Sequence, residues 1–319
     1  MWLAYEHTHD AGLKKTALEI TDSFLDRIEK KIDVNHHDRG FLFSLSCILA
    51  YQLTGSDAGR RAAILAAGNL ISRFVEKGQF IREWGDVGAV DNYRLIIDCF
   101  LNLPLLFRVS EITGDEKYAE VAKKHIKTAS ECLLREDGST YYTFYFDLNG
   151  GHPLYGETAQ GNRDGNAWGV CGAALAYKYT KSKKCLELFR RTAEYFLGHL
   201  PQNLVPYWDF DFTDPSDEPR DSSAGAIAVC GLLEMSELLD GAEAEYYRDA
   251  ALKLLKALVD NCAIRSLAES DGLLLYSTYF KSTPTNHCDN IGVDECPSRG
   301  DYFYFEVLTR SAGKWHPYR

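Results

Sequence analysis

A turn that recurs along the chain constrains its fold more than any other feature. Thr8, Thr54-Gly55-Ser56-Asp57, Thr113-Gly114-Asp115-Glu116, Thr180-Lys181 and Asp240-Gly241 stand at broadly even intervals. A stretch of helical period with an Ala- and Lys-rich polar face follows each turn, over 11–30, 59–75, 117–134, 185–200 and 243–260. A more apolar, small-residue-rich segment precedes each later turn, over 41–53, 93–112, 167–179 and 224–239, with a last one at 302–310. The first kind predicts outer helices and the second predicts inner helices buried all round. A hairpin of one inner and one outer helix cannot bury its apolar face alone, so units repeating in this way must stack on their neighbours. Six hairpins closing on themselves give an all-α (α/α)6 barrel. The expectation is one such domain over 1–319, its first inner helix cut short to Met1-Trp2-Leu3-Ala4-Tyr5-Glu6-His7.

In that architecture the tight turns share one end, and the long loops leading into the inner helices gather at the other. Those loops hold the unusual residues: Asn35-His36-His37-Asp38-Arg39-Gly40, Arg82-Glu83-Trp84-Gly85-Asp86, 141–146, 160–165, 205–211 and 219–223. Function belongs on that rim. One acid, Asp98, falls inside the apolar inner segment 93–112. A carboxylate there is either held by partners or kept for proton chemistry.

A net charge of -11 with no basic block excludes a nucleic-acid or membrane-surface binder. The nine cysteines mostly scatter singly through the helical segments, as reduced thiols serving as small core residues do, which points to the cytoplasm. Neither CxxC nor HExxH occurs, and no apolar run is long enough to span a bilayer. The neighbours His36 and His37 point apart with no third ligand spaced to join them, so no metal and no cofactor is expected. The acidic stretch 209–218 lacks the order of a calcium loop and reads as a solvated turn region.

Acids paired across an aromatic-lined cleft are the usual equipment for cutting sugars, one carboxyl donating a proton while the other stabilises developing cation character. Trp84, Tyr145, Trp168, Tyr207, Trp208 and Tyr302 could offer flat surfaces to sugar rings. Arg220 could clamp a carboxylate bidentately while Ser222 or Ser223 caps the helix that follows. A pure helix-start signature reads the same residues equally well.

The motifs become specific as a series: His36-His37-Asp38-x-Gly40-Phe41, Asn92-Tyr93-Arg94-x-x-x-Asp98, Thr158-Ala159-Gln160-Gly161, Ala167-Trp168-Gly169, Pro219-Arg220-Asp221-Ser222-Ser223, and Gly292-Val293-Asp294-Glu295-Cys296 followed by Gly300-Asp301-Tyr302. Their order along the whole chain resembles glycoside hydrolase family 88, the unsaturated glucuronyl hydrolases. The resemblance implies an (α/α)6 barrel, no metal, and cytoplasmic bacterial action on unsaturated oligosaccharides released from glycosaminoglycans by lyases. It further implies hydration of the vinyl ether in the terminal sugar rather than attack at the anomeric carbon. Carried over residue by residue, Asp98 and Asp164 are the catalytic pair, with Asp164 as general acid/base. Arg220, Trp168, Trp84, Ser222, His37 and Trp208 are then the substrate-binding set. Asp164 is followed at once by Gly165-Asn166-Ala167-Trp168, a shorter run than the family pattern, and Arg299 stands where the family commonly has Trp. These departures support a second expectation, a barrel that binds uronate sugars without turning them over. Asn286-His287-Cys288-Asp289-Asn290, where sulfate-accepting members tend to carry Ser and Lys, favours unsulfated substrates. Oligomeric state is not read from the sequence.

Overall fold

Four of the five recurring turns work through three successive residues, and the fifth, Asp240-Gly241, lacks both the threonine and a side-chain cap bond. A threonine hydroxyl donates to the carbonyl four residues back, the next residue takes the left-handed conformation, and a Ser or Asp caps the following helix. Thr54 Oγ donates to Ala50 O, Gly55 sits at φ 74, and Ser56 Oγ accepts from Gly59 N. Thr8-His9-Asp10, Thr113-Gly114-Asp115 and Thr180-Lys181-Ser182 repeat the pattern, with His9 and Lys181 at φ 55 and 51. Each of these four turns thus satisfies the last carbonyls of one helix and the first amides of the next within a few residues.

The computed structural model describes residues 1–87, 93–149, 151–158, 165–266, 268, 270–279, 281–283 and 292–313. By contacts the described chain divides into two units, one of Met1–Cys132 and Phe144–Tyr155, the other of Leu133–Thr143 and 156–313.

The first unit begins with α1 (Trp2–Thr8) and α2 (Ala11–Glu29). The next inner helix is α3 (Arg39–Phe43), a π-helical stretch at Ser44–Ile48, and α4 (Leu49–Thr54), packed on the outer α5 (Asp57–Ile71). The short pair β1 (Phe74–Val75) and β2 (Phe80–Ile81) precedes β3 (Arg94–Ile96). A 3-10 turn over Ile97–Asn102 leads to α6 (Pro104–Thr113), and α7 (Lys117–Cys132) follows. Strands β4 (Thr143–Phe146) and β5 (Pro153–Glu157) join β3 in a sheet of order β3-β4-β5.

This corrects the inner helix expected over 93–112. Its first half is a strand and a 3-10 turn because the β-branched run Ile96-Ile97 favours extended backbone, and Pro104, which has no amide to donate, fits the first position of the helix that follows. Asp98 lies in the 3-10 turn, not in an α-helix.

In the second unit the inner helices α8 (Asn166–Thr180), α10 (Ser222–Leu238) and α12 (Ser298–Ala312) alternate with the outer α9 (Lys183–Gly198) and α11 (Gly241–Asn261). The core runs through α8 and α10, almost wholly buried over 169–176 and 225–235. Small residues let the two approach closely: a Cβ on Gly231 would come 2.8 Å from Cys171 Cα. Among the described residues no helix is long and apolar enough to cross a membrane.

Candidate active site

The loop leading into α3 carries His36-His37-Asp38, and two contacts fix it against the 3-10 turn. Phe41 N donates to Asn102 Oδ1 at 2.8 Å. A Cβ on Gly40 would come 2.2 Å from Asn102 O, so this approach requires glycine. With these backbones in contact, Asp98 and the loop face each other. His37 Nε2 lies 3.4 Å from Asp98 Oδ1 and 3.4 Å from Asp38 Oδ1. Asp38 sits at the N-cap of α3 without capping it; its other oxygen lies 3.2 Å from His36 Nδ1. Both carboxylates stay within reach of a ligand, their side chains 30% exposed at Asp98 and 41% at Asp38.

Glu83 lies fully buried behind this pair, with Arg94 Nε donating to its Oε2 at 2.7 Å. Arg73 holds the Glu83 segment in place by donating to the carbonyls of Arg82, Glu83 and Gly85 at 2.9, 3.0 and 2.9 Å. Next to Glu83, Trp84 bridges to His36, their rings 5.4 Å apart, and keeps 44% of its surface exposed. Tyr145 stacks on Tyr155 at 5.1 Å.

Burial alone would lower the pKa of His37, but the bond to Asp98 and the charges of Asp98, Asp38 and Glu83 outweigh it and lift the imidazole to about 9. The ring therefore carries its proton at neutral pH. Glu83 moves up to about 7, because burial and the Asp98 charge outweigh His37 and Arg94. Asp38 goes the other way: burial would raise it, but the His36 contact and the charges of His37, His36 and Arg39 hold it below the usual carboxylate range. His37, Asp38 and Asp98 each bring one possible ligand atom within 4.8 Å of the others, a group of one histidine and two acids that leaves His36 out. A metal there would have to displace the proton of His37.

Three of the residues singled out in the sequence therefore meet here: Asp98, His37 and Trp84. Asp38, Glu83 and Arg94, present in the sequence motifs but given no role there, join them. The signal for Asp38 was present, an acid at a helix N-cap beside two histidines, but its freedom from capping shows only in three dimensions. Asp164 lies outside the described residues, as does 286–290.

In the second unit the remaining residues have internal partners. Arg220 covers the Tyr207 ring at 3.6 Å, donates to Val205 O, and lies 3.3 Å from Asp214 Oδ1. Trp208 is buried, its indole N–H donating to Glu218 Oε2 at 2.9 Å. Trp168 packs edge-on to Phe303 at 5.7 Å. Ser222 is fully buried and donates to Leu275 O at 2.6 Å. Asp221, not Ser222 or Ser223, caps α10 by accepting from Ser223 N. The stretch expected to be a solvated turn instead buries Asp209, and Asp214 binds Tyr207 and Gln202 N.

Two part-exposed carboxylates flanking an imidazole, beside an exposed indole on a helical-hairpin scaffold, are the equipment that acid catalysis on a sugar requires, and the comparisons with known proteins give the class, a glycoside hydrolase. The model of glycosyl hydrolase family 88 matches residues 1–304. The unsaturated chondroitin disaccharide hydrolase of Streptococcus pneumoniae is 41% identical over 100% of this chain and 81% of its own length. The crystal structure of the unsaturated glucuronyl hydrolase from Streptococcus agalactiae superposes with a TM-score of 0.93 at 42% identity, covering 100% of this chain and 81% of that one. Other structures of that enzyme have asparagine in place of one or the other of two aspartates. One of them is complexed with dGlcA-GalNAc6S, with a TM-score of 0.84 at 38% identity over 100% of this chain and 80% of that one. The chain belongs to glycosyl hydrolase family 88, and its fold is the all-α (α/α)6 barrel of these enzymes.

Proposed function

We propose that the chain releases the terminal 4,5-unsaturated uronic acid from glycosaminoglycan-derived oligosaccharides by hydrating its C4=C5 vinyl ether. The observation that carries this reading is the convergence of Asp38 and Asp98 on His37 with both carboxylates still open to a ligand. The spacing supports it: Asp38 and Asp98 stand as far apart in sequence as the two substituted aspartates of the streptococcal enzyme.

Asp98 delivers a proton to C4, the π pair forms the new C–H bond, and the ring oxygen shares the cation left at C5. Asp38, kept ionised by its histidines, supplies the opposing charge. Water adds at C5 and returns its proton to Asp98. The hemiketal opens by breaking the bond between C5 and the ring oxygen, leaving a ketone at C5 and a hemiacetal at C1 that expels the next sugar as an alcohol. One water is consumed and the acid is regenerated. The His37 imidazolium sits between the two carboxylates and offsets the charge that Asp38 keeps. Trp84 offers a flat apolar surface at its edge. The eight described cysteines are all thiols, seven of them buried, in support of a reducing, cytoplasmic setting.

Incubation with unsaturated chondroitin or hyaluronan disaccharide tests the reading. Absorbance of the conjugated double bond should fall with the native chain and persist with Asp98→Asn. A folded native chain that leaves the absorbance unchanged sinks it, and calorimetry then separates a barrel that binds uronate without turnover from one that does not bind.

A further inference from the structure

Arg39, the first residue of α3, is the least satisfied cation among the described residues. It is only 1% exposed, and Nε, Nη1 and Nη2 all lack a hydrogen-bond partner in the protein. Among the described residues no carboxylate lies within ion-pair distance of it. Asp33 is taken up by Arg27 at 3.1 Å and His36 at 3.5 Å, and Asp38 by the two histidines. A buried guanidinium without partners is costly, and natural sites satisfy it with an anion.

The guanidinium borders a cavity of about 70 Å³ between the end of α2 and α3. Phe24, Ile28, Leu42 and Phe43 supply apolar walls, while Arg27 and Asp33 sit at its edge. Two arginines against one aspartate leave one positive charge unbalanced. Arg73, its own N–H groups spent on carbonyls, adds to the positive field around Arg39, which Asp33 and Asp38 offset from a distance without bonding to the guanidinium. At roughly 30 Å³ per water, the space equals about two waters and admits an ion of only a few heavy atoms.

We propose that this cavity binds a small organic carboxylate of the size of formate or acetate, gripped by the Arg39 fork. Shape and polarity favour a carboxylate over a spherical halide. The planar guanidinium matches two carboxylate oxygens at once, and a hydrogen or methyl group suits the phenylalanine and leucine walls. The site belongs to the same loop as Asp38 but does not depend on the reaction proposed above, so it is tested by binding rather than turnover.

Thermal unfolding is followed while sodium gluconate, too large for the cavity, is replaced at constant ionic strength by acetate, formate, chloride or phosphate. Acetate and formate should raise Tm saturably by at least about 2 °C, and Arg39→Met should abolish the response. A response to chloride or phosphate but not to carboxylates overturns the assignment, as does an equal response in Arg39→Met. Should that variant not fold, the ¹⁹F line of fluoroacetate decides on the native chain: broadening reversed by acetate supports the site, and an unbroadened line rejects it.

Discussion

Between the two aspartates, His37 holds a proton more tightly in the folded chain than it can when unfolded. Its pKa rises from 6.5 to about 9 despite full burial. A raised histidine contributes stability that is complete below pH 6.5 and is lost as pH climbs through 9. The contribution is on the order of a few kcal/mol. Urea midpoints measured across that window should fall with pH in the native chain, and His37→Gln should flatten the fall. A variant with the native slope would show that the proton resides elsewhere. At the same scale, Asp98→Asn should cost roughly 10²–10⁴ in turnover, the usual worth of a positioned acid. Asp38→Asn should also depress turnover, because it removes the charge opposing the cation. Asp98 stood out in the sequence as an acid among apolar neighbours. Glu83 and Arg94 stood out as motif residues but not as a pair, because a buried acid in a polar loop looks like any surface residue until its partner 11 positions on is placed beside it.

At the scale of elements, the site depends on how closely α3 meets the 3-10 turn. Gly40→Ala puts a methyl 2.2 Å from a backbone oxygen that cannot move aside, so the two segments must part. We expect a clear loss of Tm together with loss of turnover, since Asp38 and Asp98 separate with them. Asn102→Ala is a milder form of the same break. It strips the acceptor from Phe41 N in a part-buried setting, worth about 1–3 kcal/mol. Turnover that survived Gly40→Ala unchanged would mean the carboxylates need not be held so close. These elements also mark where periodicity misleads. The apolar run 93–112 has helical spacing throughout, but β-branched residues and Pro104 divide it into strand, 3-10 turn and helix. The π-helical stretch at Ser44–Ile48 left no mark in the hydrophobic pattern, because a π turn shifts the register by one residue without changing residue type.

Over the whole molecule, the repeat of turns was legible because four of the five are local devices of three successive residues, independent of what packs around them. The site was legible only in part because it joins loop 36–38, Glu83 and Asp98 across the chain, and hydrophobic spacing does not encode such contacts. Net charge acts at this largest scale. At -11 the chain should repel an anionic uronate during approach. The screening length is about 30 Å at 0.01 M salt and about 8 Å at 0.15 M, so added salt should weaken that repulsion. We therefore expect kcat/KM to rise, by roughly twofold, between these salt concentrations with kcat little changed, the reverse of a steered encounter. The rise should shrink as pH approaches 5.3, where the net charge vanishes. A fall in kcat/KM with salt would show instead that local cations, His37 and Arg94 among them, dominate the field the substrate meets.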